Sequence, residues 1–122
     1  MEVTSREKEE AVLAAVGDRV ACRILLSLDG AARPAHELVH NLDLPQSTVY
    51  HKLHELQQRG LVTVQAVAIT ADGKRVELFR SLLEAVSIDL REGRLNVRVR
   101  YRNIEAERLG TMWESIRKEA RG

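Results

Sequence analysis

Residues 37–62 read ELVHNLDLPQSTVYHKLHELQQRGLV, and this stretch decides the fold. It spells a helix, a tight turn at Asp43-Leu44, a second helix opening at Pro45 and closing at Gly60, and then a strand. Leu38, Val39, Leu42, Leu44, Val49, Leu53, Leu56, Leu61 and Val62 fall where such a unit must bury itself. Gln46, Ser47, Thr48, Tyr50, His51 and His54 lie mostly between them, on the face left open. A short rigid helix with a buried stripe and a polar leading end has the shape that fits a DNA major groove.

Upstream, Thr4 and Glu7 form a capping box for a first helix, with Ala11, Val12, Ala15 and Val16 on one side and a stop at Gly17. Asp18 caps a second helix carrying Val20, Ile24, Leu25 and Leu28, ended by Asp29-Gly30. Pro34 suits the first turn of a third helix reaching about Leu42, because the missing N–H would be unpaired there anyway.

Downstream the period becomes two. Leu61, Val62, Val64 and Ile69, then Val76, Leu78 and Phe79, flank the turn cluster Thr70-Ala71-Asp72-Gly73-Lys74. A second hairpin follows. Val86, Ile88 and Leu90 alternate on one strand, and Leu95, Val97, Val99 and Tyr101 on the other, with Glu92-Gly93 as the reversal. The opposite face of that second strand carries Arg94, Asn96, Arg98, Arg100 and Arg102. A last helix presents Ile104, Leu109, Met112, Trp113 and Ile116 as an apolar stripe.

A length of 122 residues fits one domain, and 44% hydrophobic residues can fill a core. Aromatics amount to only 3%, which argues against base stacking as the main way of holding single strands. The net charge is +1, so local patches must carry any nucleic-acid argument. With Cys22 as the one cysteine, neither an internal disulfide nor a cysteine-pair zinc site can form. No apolar run approaches a membrane span, and the charged N-terminal residues lack a secretion signal's apolar centre, so a soluble cytoplasmic protein is expected.

Glu37-Leu38, the run 42–49 (LDLPQSTV), Leu53, Leu56 and Gly60-Leu61-Val62 together resemble the winged helix-turn-helix of prokaryotic transcription regulators. The likeness is to the arsenic-repressor-like (ArsR-like) group and its archaeal relatives, and residues 16–20 and 23–25 resemble the helix that precedes the motif there. It covers roughly residues 10–80. The expected fold is therefore α+β: one domain over residues 1–122, with the helix-turn-helix at about 34–60, the wing at about 61–80, an additional β-hairpin at about 85–101 and a C-terminal dimerisation helix at about 103–120. The resemblance implies a homodimer that sets two recognition helices in successive major grooves of double-stranded DNA. It implies Gln46, Ser47, Thr48, Tyr50 and His51 at base edges or phosphates, with Lys52 and His54 beside them and the wing residues Lys74 and Arg75 on the backbone. Metal-sensing members use cysteine pairs or a terminal set of acids and histidines; residues 103–122 hold neither His nor Cys, so no metal and no cofactor is expected.

Several features carry two readings. Gln46, Ser47 and Thr48 could be plain surface, but a helix's first turn offers free N–H groups to phosphate, Gln pairs with adenine, and Ser or Thr bonds either base edge or phosphate. The arginine row, with Arg91 nearby, could grip DNA backbone, face solvent, or pair with Asp89, Glu105 and Glu107; a structural or dimer role is favoured. His36 with His40, and His51 with His54, have helical spacings that can bind a transition metal, yet no third ligand stands beside either pair. Cys22 reads as a buried, inert thiol. The first and last helices each carry an apolar stripe without an obvious partner in a minimal winged domain. Leu13, Ile104, Leu109, Met112, Trp113 and Ile116 are therefore expected to form a dimer interface. No phosphate loop or catalytic triad is visible, so no enzyme is expected. The competing class is a winged domain that docks proteins and ignores DNA; a small-molecule effector is left open.

Overall fold

A computed structural model describes residues 6–105 and residue 107. Four helices come first: α1 (Arg6–Gly17), α2 (Arg19–Ser27), α3 (Ala35–Leu42) and α4 (Gln46–Gln58). Two antiparallel hairpins follow, β1 (Val62–Ile69) with β2 (Arg75–Ser81), and β3 (Leu83–Arg91) with β4 (Arg94–Tyr101), as separate two-stranded sheets. The fold is α+β, a winged helix-turn-helix with an additional hairpin.

Local chemistry sets the boundaries. Asp18 caps α2 as its sequence position requires: its Oδ1 accepts the Val20 and Ala21 N–H groups, both at 3.0 Å. Pro34 and Pro45 stand one residue before their helices, as N-caps with extended backbone (ψ 156 and 143), and do not form the first turn as expected. Either place suits proline, since the helix uses the N–H of neither position. Asp43 ends α3 in the left-handed region (φ 52), which a short polar side chain tolerates. Gly60 (φ 75) ends α4 with paired bonds, Gly60 N–H to Gln57 C=O at 3.1 Å and Leu61 N–H to Leu56 C=O at 2.9 Å. That pattern needs a residue free of Cβ strain after the helix.

The wing is β1–β2. Val62 is buried at its base, while residues from Ala66 to the tip are largely exposed. The second hairpin turns at Glu92 (φ 52) and Gly93 (φ 71), the two positive angles that a two-residue reversal needs. Its cross-strand pairs Val86↔Val99, Ile88↔Val97 and Leu90↔Leu95 share one apolar face. Val97, Val99 and Leu83 at the hairpin's base join Val12, Ile24, Leu28, Leu38, Val49, Leu61 and Val62 in one core.

One expectation changes here, and another gains its partners. The stripe of α1 does have a partner within its own chain: Val12 and Ala15 are buried, Leu13 packs against the core, and Lys8 lies 5.7 Å over the Tyr101 ring of β4. Its packing partner is α2. Arg102 takes the structural reading favoured for the arginine row, with Glu107 among its partners. It follows β4, is 10% exposed, and donates to Asp29 Oδ1 (2.5 Å), Glu107 Oε1 (3.2 Å) and the Ser81 C=O (3.1 Å). Arg100 pairs with Glu84 at 3.7 Å and Arg91 with Asp89 at 3.7 Å. Ile104 is half-buried; Thr4 of the capping box and Leu109, Met112, Trp113 and Ile116 of the terminal stripe lie outside the described residues.

Candidate nucleic-acid interface

Val49, Leu53 and Leu56 are almost wholly buried and fix the rotation of α4 against α2 and α3. That rotation exposes Gln46, Ser47, Tyr50, His51 and His54 and leaves Thr48 half-buried. The first helical bond is made by Val49 N–H to the Pro45 C=O (3.1 Å), and Pro45 has no side-chain cap. The N–H groups of Gln46, Ser47 and Thr48 thus point forward from the helix end, beside their own hydroxyl and amide groups.

The two flanks of α4 differ. On the flank toward α2, Lys52 Nζ meets Asp18 Oδ2 at 2.5 Å and Glu55 Oε2 at 3.8 Å, and Arg59 meets Glu55 at 3.6 Å. Lys52, expected among the DNA-facing side chains, turns inward because the cap of α2 offers it a carboxylate. The Lys52 hydrogen bond, helped by the Ala21 N–H, holds the Asp18 carboxyl below the usual carboxylate range. The same bond raises Lys52 above the ordinary lysine value. His51 stands on the front, 77% exposed, 3.8 Å from Glu55.

On the flank toward the wing, Tyr50, His54 and Gln57 line an open groove of about 350 Å³ with His36 of α3 and Arg75 and Glu77 of β2, over a floor that includes Leu53 and Phe79. His36 and Glu77 were not legible as neighbours of His54 in the sequence. Helical spacing pairs His36 with His40, whereas the packing of α3, α4 and β2 pairs it with His54 across elements. At the wing tip the Thr70 hydroxyl binds the Asp72 carboxylate, and Thr70 N–H donates to the Lys74 C=O at 2.9 Å. Lys74 is 79% exposed and 3.9 Å from Asp72.

Cys22 is half-buried, not fully buried as expected, in the wall of a second groove between α2 and β3. Among the described residues, no three His, Cys, Asp or Glu side chains gather as metal ligands, and no helix is long and apolar enough to cross a membrane. No curated protein matches the chain. Residues 16–65, from the end of α1 through α4 into β1, match the family described as a helix-turn-helix domain, the class of unit with which DNA-binding regulators reach their sites.

Proposed function

We propose that this protein is a sequence-specific, double-stranded DNA-binding regulator of transcription, of the arsenic-repressor-like group and its archaeal type, working in the cytoplasm as a homodimer and not as an enzyme. The observation that carries this reading is the front of α4. Ser47, Tyr50, His51 and His54 are exposed on a helix whose leucines lock it from behind, inside a segment that matches a helix-turn-helix family. Gln46, Ser47 and Thr48 lead into the major groove, and Tyr50, His51 and His54 follow at base edges or phosphates. Lys74 and Arg75 bring the wing to the backbone.

The dimer rests on two features. Leu26 of α2 is 70% exposed and Leu90 of the second hairpin 80%, apolar side chains that a second copy would cover. The apolar sequence stripe of Ile104, Leu109, Met112, Trp113 and Ile116 is the other feature, read from the order of residues alone. Leu13 contributes through its in-chain packing and not as a free contact.

Selection of bound sequences from a random duplex pool tests the reading. A palindromic consensus with half-sites about one helical turn apart supports a dimeric reader. Failure to bind any duplex at low salt would place the chain among winged domains that dock proteins, a class with which its net charge of +1 is compatible.

A further inference from the structure

We propose that the groove between α4 and the wing seats one phosphodiester of the DNA backbone, gripped by Arg75, His36 and His54, with the two histidines taking up protons as it binds. The inference rests on the DNA-binding reading and adds to it a particular site and a proton linkage.

Three elements build the groove. The first turn of α3 gives His36, α4 gives Tyr50, His54 and Gln57, and β2 gives Arg75 and Glu77. Ala35, Leu53, Val76 and Phe79 complete its walls and floor. Among the described residues, none of the six polar side chains of the rim makes a hydrogen bond or ion pair with protein. The other flank of the same helix is the opposite case, with Lys52, Glu55 and Arg59 all paired. A groove of unpaired donors beside a helix that faces nucleic acid is arranged for an outside partner.

Charge identifies that partner. The titratable and charged groups facing the groove are His36, Tyr50, His54, Arg75 and Glu77. With both imidazoles neutral, Arg75 and Glu77 cancel. With both protonated, the rim carries a double positive charge and offers a phosphate the guanidinium fork, two imidazolium N–H donors, the Tyr50 hydroxyl and the Gln57 amide. Imidazole side chains change charge between pH 5 and 8, so affinity rises as pH falls. Bound phosphate favours the protonated form, and reciprocity makes binding take up protons. The apolar floor lowers the local dielectric and strengthens each contact.

The test is fluorescence anisotropy of the full chain with a labelled duplex at pH 6, 7 and 8 and constant ionic strength. Wild type is expected to bind several-fold more tightly at pH 6 than at pH 8. The double variant His36→Gln/His54→Gln keeps amide donors but cannot charge, and is expected to lose most of that slope. His40→Gln, on the exposed side of α3 and outside the groove, is expected to keep it. Arg75→Gln is expected to weaken binding at every pH. Binding that is flat from pH 6 to 8, or a double variant with the wild-type slope, overturns the inference and leaves DNA binding standing. Absence of duplex binding at every pH overturns both. Titration with inorganic phosphate, followed by the ring signals of His36 and His54, separates the two phosphate sources. Saturation by the free ion at concentrations that leave duplex binding unchanged would mark a phosphate-ion pocket and overturn the DNA assignment.

Discussion

The flank of α4 toward α2 and the flank toward the wing are built from similar residues and serve opposite ends. Toward α2, Lys52 closes on Asp18, which itself caps α2, and Glu55 links Lys52 to Arg59. Every charge there answers another within the chain, and the effect is to hold one helix against the next. Toward the wing, His54, Tyr50, Gln57, His36 and Arg75 surround a groove without bonding to one another. One flank gives the helix its position; the other leaves its polar groups for a partner. Residue type alone does not separate these cases, since a lysine serves the fold while histidines and an arginine stay open.

Changes under, beside and in front of α4 sharpen this contrast, and the largest effect is expected below both flanks. Leu56→Ala empties a site that is 3% exposed and should cost about 2–5 kcal/mol, read as a lowered thermal midpoint. Unchanged melting would mean that α4 is not anchored as described. Asp18→Ala removes the cap of α2 and the partner of Lys52 together, with an expected loss of about 1–2 kcal/mol in denaturant unfolding. At low temperature, where the variant is still folded, its DNA affinity should stay near wild type.

The same pair gives a pH signature in stability. Asp18 has a lowered folded pKa, so its contribution is present above the ordinary carboxylate range and is lost as pH falls through the folded value. Lys52 is raised, so its contribution is present below the ordinary lysine value and is lost as pH climbs through the folded one. Wild type should therefore lose stability faster than Asp18→Asn on acidification, and a constant difference between the two across pH 2–6 would argue against the pair.

On the front of the helix, Ser47→Ala or His51→Ala should leave melting within about 0.5 kcal/mol of wild type, as is usual for exposed positions. If the side chain meets a base, either should weaken specific DNA binding by about 1–3 kcal/mol and relax sequence choice. The smallest effects cross the two flanks. Lys52→Gln should lower stability by about 0.5–1 kcal/mol with little change in DNA affinity. Arg75→Gln should reduce the salt slope of DNA binding by about one without touching stability. If Lys52→Gln weakens binding and Arg75→Gln does not, the roles of the flanks are reversed.

Much of this was legible in the chain. The run from Leu38 to Val62 put its apolar residues at helical spacing, and Val49, Leu53 and Leu56 are the side chains buried beneath α4. Asp18 read as a cap and is one, and Glu92-Gly93 read as a reversal and turns with two positive φ angles. These features depend on near neighbours, so the sequence holds the whole interaction. Arg102 continued the alternation of β4 on paper, but the strand ends at Tyr101 and the side chain turns in to Asp29, a residue 73 positions away. The stripe of α1 looked unpartnered, yet Val12 and Ala15 join the common core beside α2.

The order of letters by itself gave the four helices and two hairpins, the Asp18 cap, the buried face of α4 and the kind of unit that residues 16–65 match, because periodicity and capping act over a turn or two. Only the packed molecule decided which polar groups of α4 were already engaged and which were not. That choice turns on whether a complementary charge from another element comes within about 4 Å, the reach of a direct ion pair. Asp18 does so for Lys52, while His36 and Arg75 merely face His54 across an open groove.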